Sequence, residues 1–305
     1  MSNPAQPGGP PPWINHDMQR RIPWRDQDIV ISVPVKSGTT WTMNIVHQLL
    51  SGGDADFLDI YAEVLWLEFV NRPGMPVEEL IERVARMPAD RPRAFKMHSA
   101  PPELDYVAPG ADRDVRYVVV MRNPEEALVS MKHFLDQHSD AWFELWQIPR
   151  AAIVRPDFES FYRDVAEASG MNRGLFEFLN GWWPLRHQPN VLCMHYADMT
   201  RDHEGTLRRV ADFIGVTPDA ASWAAIREYT SFAWMKRHNV KFDGVTLGET
   251  PILNPGAMVR KGQAGGAHAD GMTATIAADL RALGASMCPD ERALRWFYTG
   301  GTLPP

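Results

Sequence analysis

The sequence predicts an α/β fold, a single domain built on a P-loop-like parallel sheet flanked by helices. Three observations lead there. Short apolar, β-branched runs alternate with helical segments along most of the chain. The first run empties into a Ser/Gly/Thr loop that opens a helix. Three of the runs end in residues capable of chemistry, Lys36, His98 and Arg122. Alternation of this kind gives a parallel sheet with helices on both faces. Ligands in such sheets sit outside the carboxyl ends of the strands.

The strand-like runs are DIVISVPV (28–35), PRAFKMH (92–98), VRYVVVMRN (115–123) and NVLCMHY (190–196). Each is continuously apolar or aromatic rather than alternating, as strands covered on both faces read. Between them, TTWTMNIVHQLLSG ends in glycine and VEELIERVARM has helical spacing. PEEALVSMKHFLD opens with proline and two acids, a favourable helix start. LFEFLNGWWPLRH and GTLRRVADFIGV are two further helical stretches. The segment from 240 to about 272 is glycine-rich with few apolar anchors, and loops of that length are commonly functional lids or disordered segments. It carries Arg260, Lys261 and Gly262, a cationic pair beside a flexible hinge.

Composition narrows the function. A chain of 305 residues with 45% hydrophobic and 23% charged residues has the make-up of a soluble globular protein. The net charge of -7 argues against a general nucleic-acid binder, which is more often basic. The two cysteines, Cys193 and Cys288, form no CxxC or Cys/His ligand spacing, so zinc is not expected and a reducing compartment is. The start of the chain, MSNPAQPGGPPPW, lacks the apolar core of a signal peptide and reads as part of a flexible tail over 1–24, ahead of a domain at 25–305. No apolar run approaches the length of a membrane span. A cytoplasmic location without stable membrane insertion is the expectation.

The stretch IVISVPVKSGTTWTMNIV poses the functional question. Ser37, Gly38, Thr39 and Thr40 lie where a strand turns into a helix, so backbone N–H groups and the helix dipole favour an anion. Gly38 permits close approach of the main chain, and the threonines can cap and donate. The lysine, however, precedes the glycine. A nucleotide kinase or NTPase has its lysine directly after the last glycine and a carboxylate for Mg²⁺. Here Thr39, Thr40 and Trp41 follow instead. A lysine ending a buried strand still requires an anionic partner.

VPVKSGTTWTMNIV resembles the 5′-phosphosulfate loop of the cytosolic-type sulfotransferases, which reads much like Y-P-K-S-G-T-T-W. Further matches keep the family's order. YVVVMRNPEEALVSMKHF is similar to its 3′-phosphate segment, FKMHSAP to the segment carrying the catalytic histidine, and MVRKGQAGG to the C-terminal phosphate loop. GWWPLRHQPNVLCMHYADM and YTSFAWMK resemble intervening segments. The similarity runs from about residue 29 to about 266. It implies the sulfotransferase fold and transfer of a sulfuryl group from 3′-phosphoadenosine 5′-phosphosulfate (PAPS), with release of PAP, to a small hydroxyl acceptor. It also implies roles. Lys36 reaches the oxygen bridging phosphate and sulfur, and Ser37, Gly38, Thr39 and Thr40 belong to the 5′-phosphate loop. Arg122, Ser130, Arg260, Lys261 and Gly262 serve the 3′-phosphate. Trp41, Tyr196, Thr230 and Phe232 surround the adenine. His98 is the general base, with Lys96 assisting from the same strand. Trp66, Phe69 and Phe134 fall in regions that line the acceptor pocket. An apolar pocket favours a phenol, steroid, lipid or other hydrophobic alcohol.

No acidic triad accompanies these residues, so no metal is expected. The competing readings are a nucleotide kinase or NTPase and a non-catalytic nucleotide-binding protein; the pairing of Lys36 with His98 argues against the second. The chain departs from the family where Gly266-Ala267-His268 replaces D-W-K. ADGMTATIAADL lacks the lysine and acid of the family's dimer segment, which leaves the oligomeric state open. Met97 stands where threonine is common, and Ser99-Ala100 stands where Leu-Pro is common; these changes bear on the acceptor pocket.

Overall fold

Burial on both faces of the central strands organises the computed structural model, which describes residues 11–305. Five parallel strands form one sheet in the order β2-β3-β1-β4-β5: β1 Asp28–Ser32, β2 Val64–Trp66, β3 Ala94–Met97, β4 Val115–Met121 and β5 Val191–His195. On β4, Tyr117, Val119 and Met121 point into one apolar cluster and Val118 and Val120 into the other. The continuous apolar reading of the strands thus corresponds to a sheet with helices on both faces. Four of the five strands fall inside the expected runs. β2 was not anticipated, because it is three residues long and follows directly on the short helix Ile60–Glu63.

The helix after β1, Thr39–Ser51, ends at Gly52 in the left-handed region, where the Gly52 N–H reaches back to the Gln48 carbonyl. The helix after β4, Pro124–Asp136, carries Pro124 in its first turn, and the Asn123 side chain caps the Glu125 N–H. β1 pairs with β3 on one side and β4 on the other. The chain therefore leaves β1 at the point where strand order diverges, and the carboxyl ends of β1, β3 and β4 face one crevice.

Two buried polar ties brace β1 at its two ends. The Ser32 hydroxyl donates to the Ser99 carbonyl at 2.7 Å and accepts from Trp182 Nε1 at 2.8 Å, joining β1, the turn after β3 and the helix Met171–Trp182. At the other end of β1, Arg93 Nε donates to Asp28 Oδ1 at 2.9 Å, with both side chains 1% exposed.

The expectation of a flexible tail over 1–24 is corrected for residues 11–24; residues 1–10 lie outside the described residues. Trp13 packs edge-on against Trp142, with ring centroids 4.7 Å apart, and Ile14 bridges to Phe69. The short helix His16–Arg21 follows, and Met18 and Ile22 join the core. The proline-rich composition read as a tail stops short of Trp13, and the apolar residues beyond it supply enough burial to order the backbone.

Removing one partner of a buried ion pair strands the other charge. Arg93→Met should lower the unfolding free energy by about 3–5 kcal/mol in urea denaturation. A loss under about 1 kcal/mol, the range of exposed pairs, would mean that Asp28 does not depend on Arg93.

Candidate functional site

The strand ends open into a cavity of about 1150 Å³. The loop after β1 forms one wall. Gly38 sits at φ 103° as the N-cap of Thr39–Ser51 and offers no side chain to cap the first turn. A Cβ on Gly38 would lie 2.7 Å from the Tyr196 ring, so glycine is required by both conformation and space. The Thr39 hydroxyl is buried without a hydrogen-bond partner. Uncapped backbone N–H groups and an orphaned hydroxyl at a helix start fit an anionic group of phosphate type.

Lys36 stands just before this turn, itself in the left-handed region at φ 58°. That conformation is strained for a lysine, and strain of this kind collects at functional sites. Arg122 Nη1 holds it by donating to the Lys36 carbonyl at 3.0 Å. The Lys36 amine is buried over the Phe134 ring, 4.0 Å from its centroid. Burial, with the nearby charges of Arg122 and Arg260, brings its pKa down to about 7.

Arg122, at the end of β4, is fixed on four sides. Besides the Lys36 carbonyl, it donates to Glu126 Oε2 at 3.0 Å and to the Gln263 carbonyl at 3.2 Å, and its guanidinium lies 4.5 Å from the Tyr196 ring centroid. Ser130, from the helix Pro124–Asp136, lines the cavity, as do Arg260, Lys261 and Gly262 from the C-terminal loop. Asp270 bridges Arg260 and Lys261 at 3.1 and 2.6 Å. Gly262 packs on Phe232, whose ring a Cβ there would strike. Lys36, Arg122, Arg260 and Lys261 thus line one cavity.

His98 follows β3 immediately. Its Nδ1 lies 2.6 Å from the Val33 carbonyl. A carbonyl can only accept, so Nδ1 carries the proton and Nε2 keeps its lone pair. Burial, then the charge of Lys96, push its pKa down to about 3, against the opposing pull of Glu68. The imidazole is therefore neutral at pH 7. Lys96 lies 3.0 Å from the Trp66 ring centroid and is held well below the usual lysine range, chiefly by burial. Trp66 stacks on Phe69 at 4.7 Å and meets the His98 ring edge-on at 5.1 Å.

The structure brings the expected residues together, with two differences. Ser37 is buried and spends its hydroxyl on the Val35 carbonyl at 3.4 Å and its N–H on the Pro34 carbonyl, so it does not face the cavity. Thr230 is buried as well. Its hydroxyl is taken up by the Ile226 carbonyl and His203, and it reaches the site through its carbonyl, which accepts from Trp41 Nε1 at 2.9 Å. Trp41, Tyr196, Phe232, Trp66, Phe69 and Phe134 all line the cavity. Sequence reasoning missed Trp13, His16, Glu68, His138 and Trp142, while Ser99, read as bearing on the acceptor pocket, does line the cavity. One signal was available, an acid set in the apolar run LWLEFV: Glu68 is fully buried. Among the described residues no three His, Cys, Asp or Glu side chains converge as a metal site, and none of the helices is long and apolar enough to cross a membrane.

Comparison with known proteins agrees with this geometry. The chain is 28% identical over 256 residues to rat (Rattus norvegicus) sulfotransferase 1A1, covering 81% of this chain and 80% of the relative. It is 26% identical to mouse (Mus musculus) sulfotransferase 2A6, covering 83% and 81%. The fold resembles that of mouse sulfotransferase SULT7A1 complexed with PAP, with TM-score 0.64, 17% identity and coverage of 92% and 90%. It also resembles retinol dehydratase in complex with androsterone and the inactive cofactor PAP, with TM-score 0.64, 20% identity and coverage of 98% and 90%. The sulfotransferase domain model matches residues 26–283, and the chain belongs to the sulfotransferase family.

Proposed function

We propose that this protein transfers the sulfuryl group of PAPS to the hydroxyl of a small hydrophobic acceptor by in-line displacement, with His98 as general base. The observation that carries the reading is that one cavity is lined both by the cations Lys36, Arg122, Arg260 and Lys261 and by the aromatic side chains around the neutral His98. The PAP bound by the structural neighbours supports the donor, and the androsterone bound by retinol dehydratase supports an apolar alcohol. PAPS supplies the sulfuryl group when bound.

The chain's own residues divide the remaining work. Thr39, Thr40 and the backbone at Gly38 hold the 5′-phosphate, and Arg122, Ser130 and Arg260 hold the 3′-phosphate, with Lys261 and Gly262 beside them. Trp41, Tyr196 and Phe232 form the adenine site, with Thr230 fixing Trp41. Lys36 places its charge where the leaving oxygen develops its own. Lys96 assists from the strand that ends at His98. The acceptor's O–H proton moves to His98 Nε2 as its oxygen attacks sulfur, and Trp66, Phe69 and Phe134 hold the apolar body of the acceptor. Residues 240–272 act as a lid, a role supported by the contacts of Arg122 and Glu126 with Gln263 and Gly265. The same reading needs no metal, because the charge of the donor meets lysine and arginine. The two free buried thiols, Cys193 and Cys288, suit a cytoplasmic setting.

Donor binding should take up a proton. With a free pKa of about 7, Lys36 is mostly neutral at pH 8 and becomes charged against an anion. Affinity for PAP is then full below pH 7 and falls as pH rises above that value, until the bound pKa is reached. Calorimetry at pH 8 in buffers of different ionisation enthalpy should show uptake of about one proton, lost in Lys36→Met; no uptake in the wild type would contradict this.

Preference for a 3′-phosphate should depend on Arg122. Arg122→Ala should weaken PAP by about 1.5–3 kcal/mol, and adenosine 5′-phosphosulfate by distinctly less, through the lost support of the Lys36 carbonyl alone. Equal affinity of the wild type for nucleotides with and without the 3′-phosphate would remove this assignment.

Binding and chemistry should separate at His98. His98→Ala should keep nearly normal PAP affinity while single-turnover transfer slows by about 10²–10⁴. Near-normal turnover in a folded variant would take the base role from His98 and revive a different catalytic arrangement.

A further inference from the structure

Beneath His98 lies a buried acid that the reaction as written does not use. Glu68 is 0% exposed. Its Oε2 accepts the His98 backbone N–H at 2.6 Å and Trp66 Nε1–H at 3.2 Å. Its Oε1 accepts the Ser99 N–H at 3.0 Å, His16 Nδ1–H at 3.1 Å and the Ser99 hydroxyl. His16 Nδ1 also stands 2.7 Å from the Ser99 hydroxyl oxygen. The carboxylate therefore ties the N-terminal segment, the end of β2 and the turn carrying His98 to one point. Ser99, which stands where the family commonly has leucine, turns its hydroxyl onto this acid.

We propose that Glu68 is a positioning residue for His98, fixing its backbone and supplying the negative charge against which the imidazolium forms, and that His16 tunes this support by pairing with the same carboxylate. The inference rests on the base role of His98 given above.

A neutral amide could brace two loops; a buried carboxylate costs far more to place and is kept here by five donors. Its charge has a use. His98 faces Lys96 and Lys36, both of which oppose a proton on the ring, while Glu68 and the Val33 carbonyl favour one. Glu68 in turn faces His16, His98 and Lys96. Burial alone would raise the Glu68 carboxyl, but the hydrogen bonds from His16 and Ser99 and the cationic neighbourhood hold it in the charged form. His16 faces Glu68, Glu103 and Asp17, and its hydrogen bond to Glu68, opposed by its partial burial, gives a net rise in its pKa. When His16 is charged it competes with His98 for the field of Glu68.

The two partners should therefore act in opposite directions. Removing the Glu68 charge makes His98 harder to protonate. Removing the His16 charge leaves Glu68 to His98 alone and makes it easier. The test is titration of His98 by ¹⁵N-histidine NMR in the complex of the full chain with PAP, alongside single-turnover rates. In Glu68→Gln the His98 pKa should fall by about one unit or more, and transfer should slow by roughly ten- to a hundredfold, with PAP affinity kept. In His16→Gln, which retains a donor without the charge, the His98 pKa should rise by a smaller amount. Shifts of the same sign in both variants, or none in Glu68→Gln, would overturn the proposal, because a merely structural tie gives no opposed pair. If Glu68→Gln fails to fold, His16→Gln decides alone: a rise supports the coupling, and no change or a fall defeats it. The titration is read independently of turnover in His98→Ala, so failure of the base role and failure of the coupling are distinct results.

Discussion

Positive charge held out of water at the carboxyl ends of β1, β3 and β4 is the constraint on which the rest of the site depends. Lys36, half-buried, and Lys96, buried, lie over aromatic rings, and Arg122 is packed between Glu126, the Lys36 carbonyl and Tyr196. Buried amines lose stability unless an anion compensates them. The pKa of Lys36, brought down to about 7, expresses that cost directly. A ligand bearing two phosphate-type groups offsets it, and the uncapped turn at Gly38 offers the neutral half of the same site.

The same field would make His98, in the base role proposed for it, difficult to protonate. Neighbouring lysines that suit the donor oppose protonation of the imidazole on the acceptor side. The molecule meets this conflict with tautomer and countercharge. The Val33 carbonyl leaves Nε2 free to accept a proton, and the carboxylate of Glu68 lies beneath the His98 backbone. Donor binding works in the same direction, since an anion beside Lys36 lessens the repulsion that an imidazolium would meet. In the proposed mechanism, donor binding and readiness for proton transfer are thereby linked through electrostatics.

Much of this was legible in the chain. Lys36, His98 and Arg122 could be found because parallel strands deliver their last residues to one crevice, and because each closes a run whose apolar character marks a buried strand. The family motifs then distinguished a lysine before the glycine from one after it. Other features were hidden for physical reasons. β2 is too short to show a pattern, and the helical turn before it masks its start. The proline-rich beginning of the chain suggested a tail, but Trp13, Met18 and Ile22 bury enough surface to fix residues 11–24 against the domain. Thr230 contributes through its carbonyl, which carries no side-chain signature. Glu68 reads as one acid among many until five donors from three segments are seen to converge on it.

Charge on the protein, without a metal, would then carry sulfuryl transfer to an apolar alcohol. Incubation with PAPS labelled at the sulfuryl group, a panel of phenols and steroid alcohols, and EDTA tests this most directly. Label should appear in the acceptor in step with release of PAP, undiminished by the chelator. Transfer that vanished in EDTA and returned with Mg²⁺, or label found only in inorganic sulfate across the panel, would contradict it.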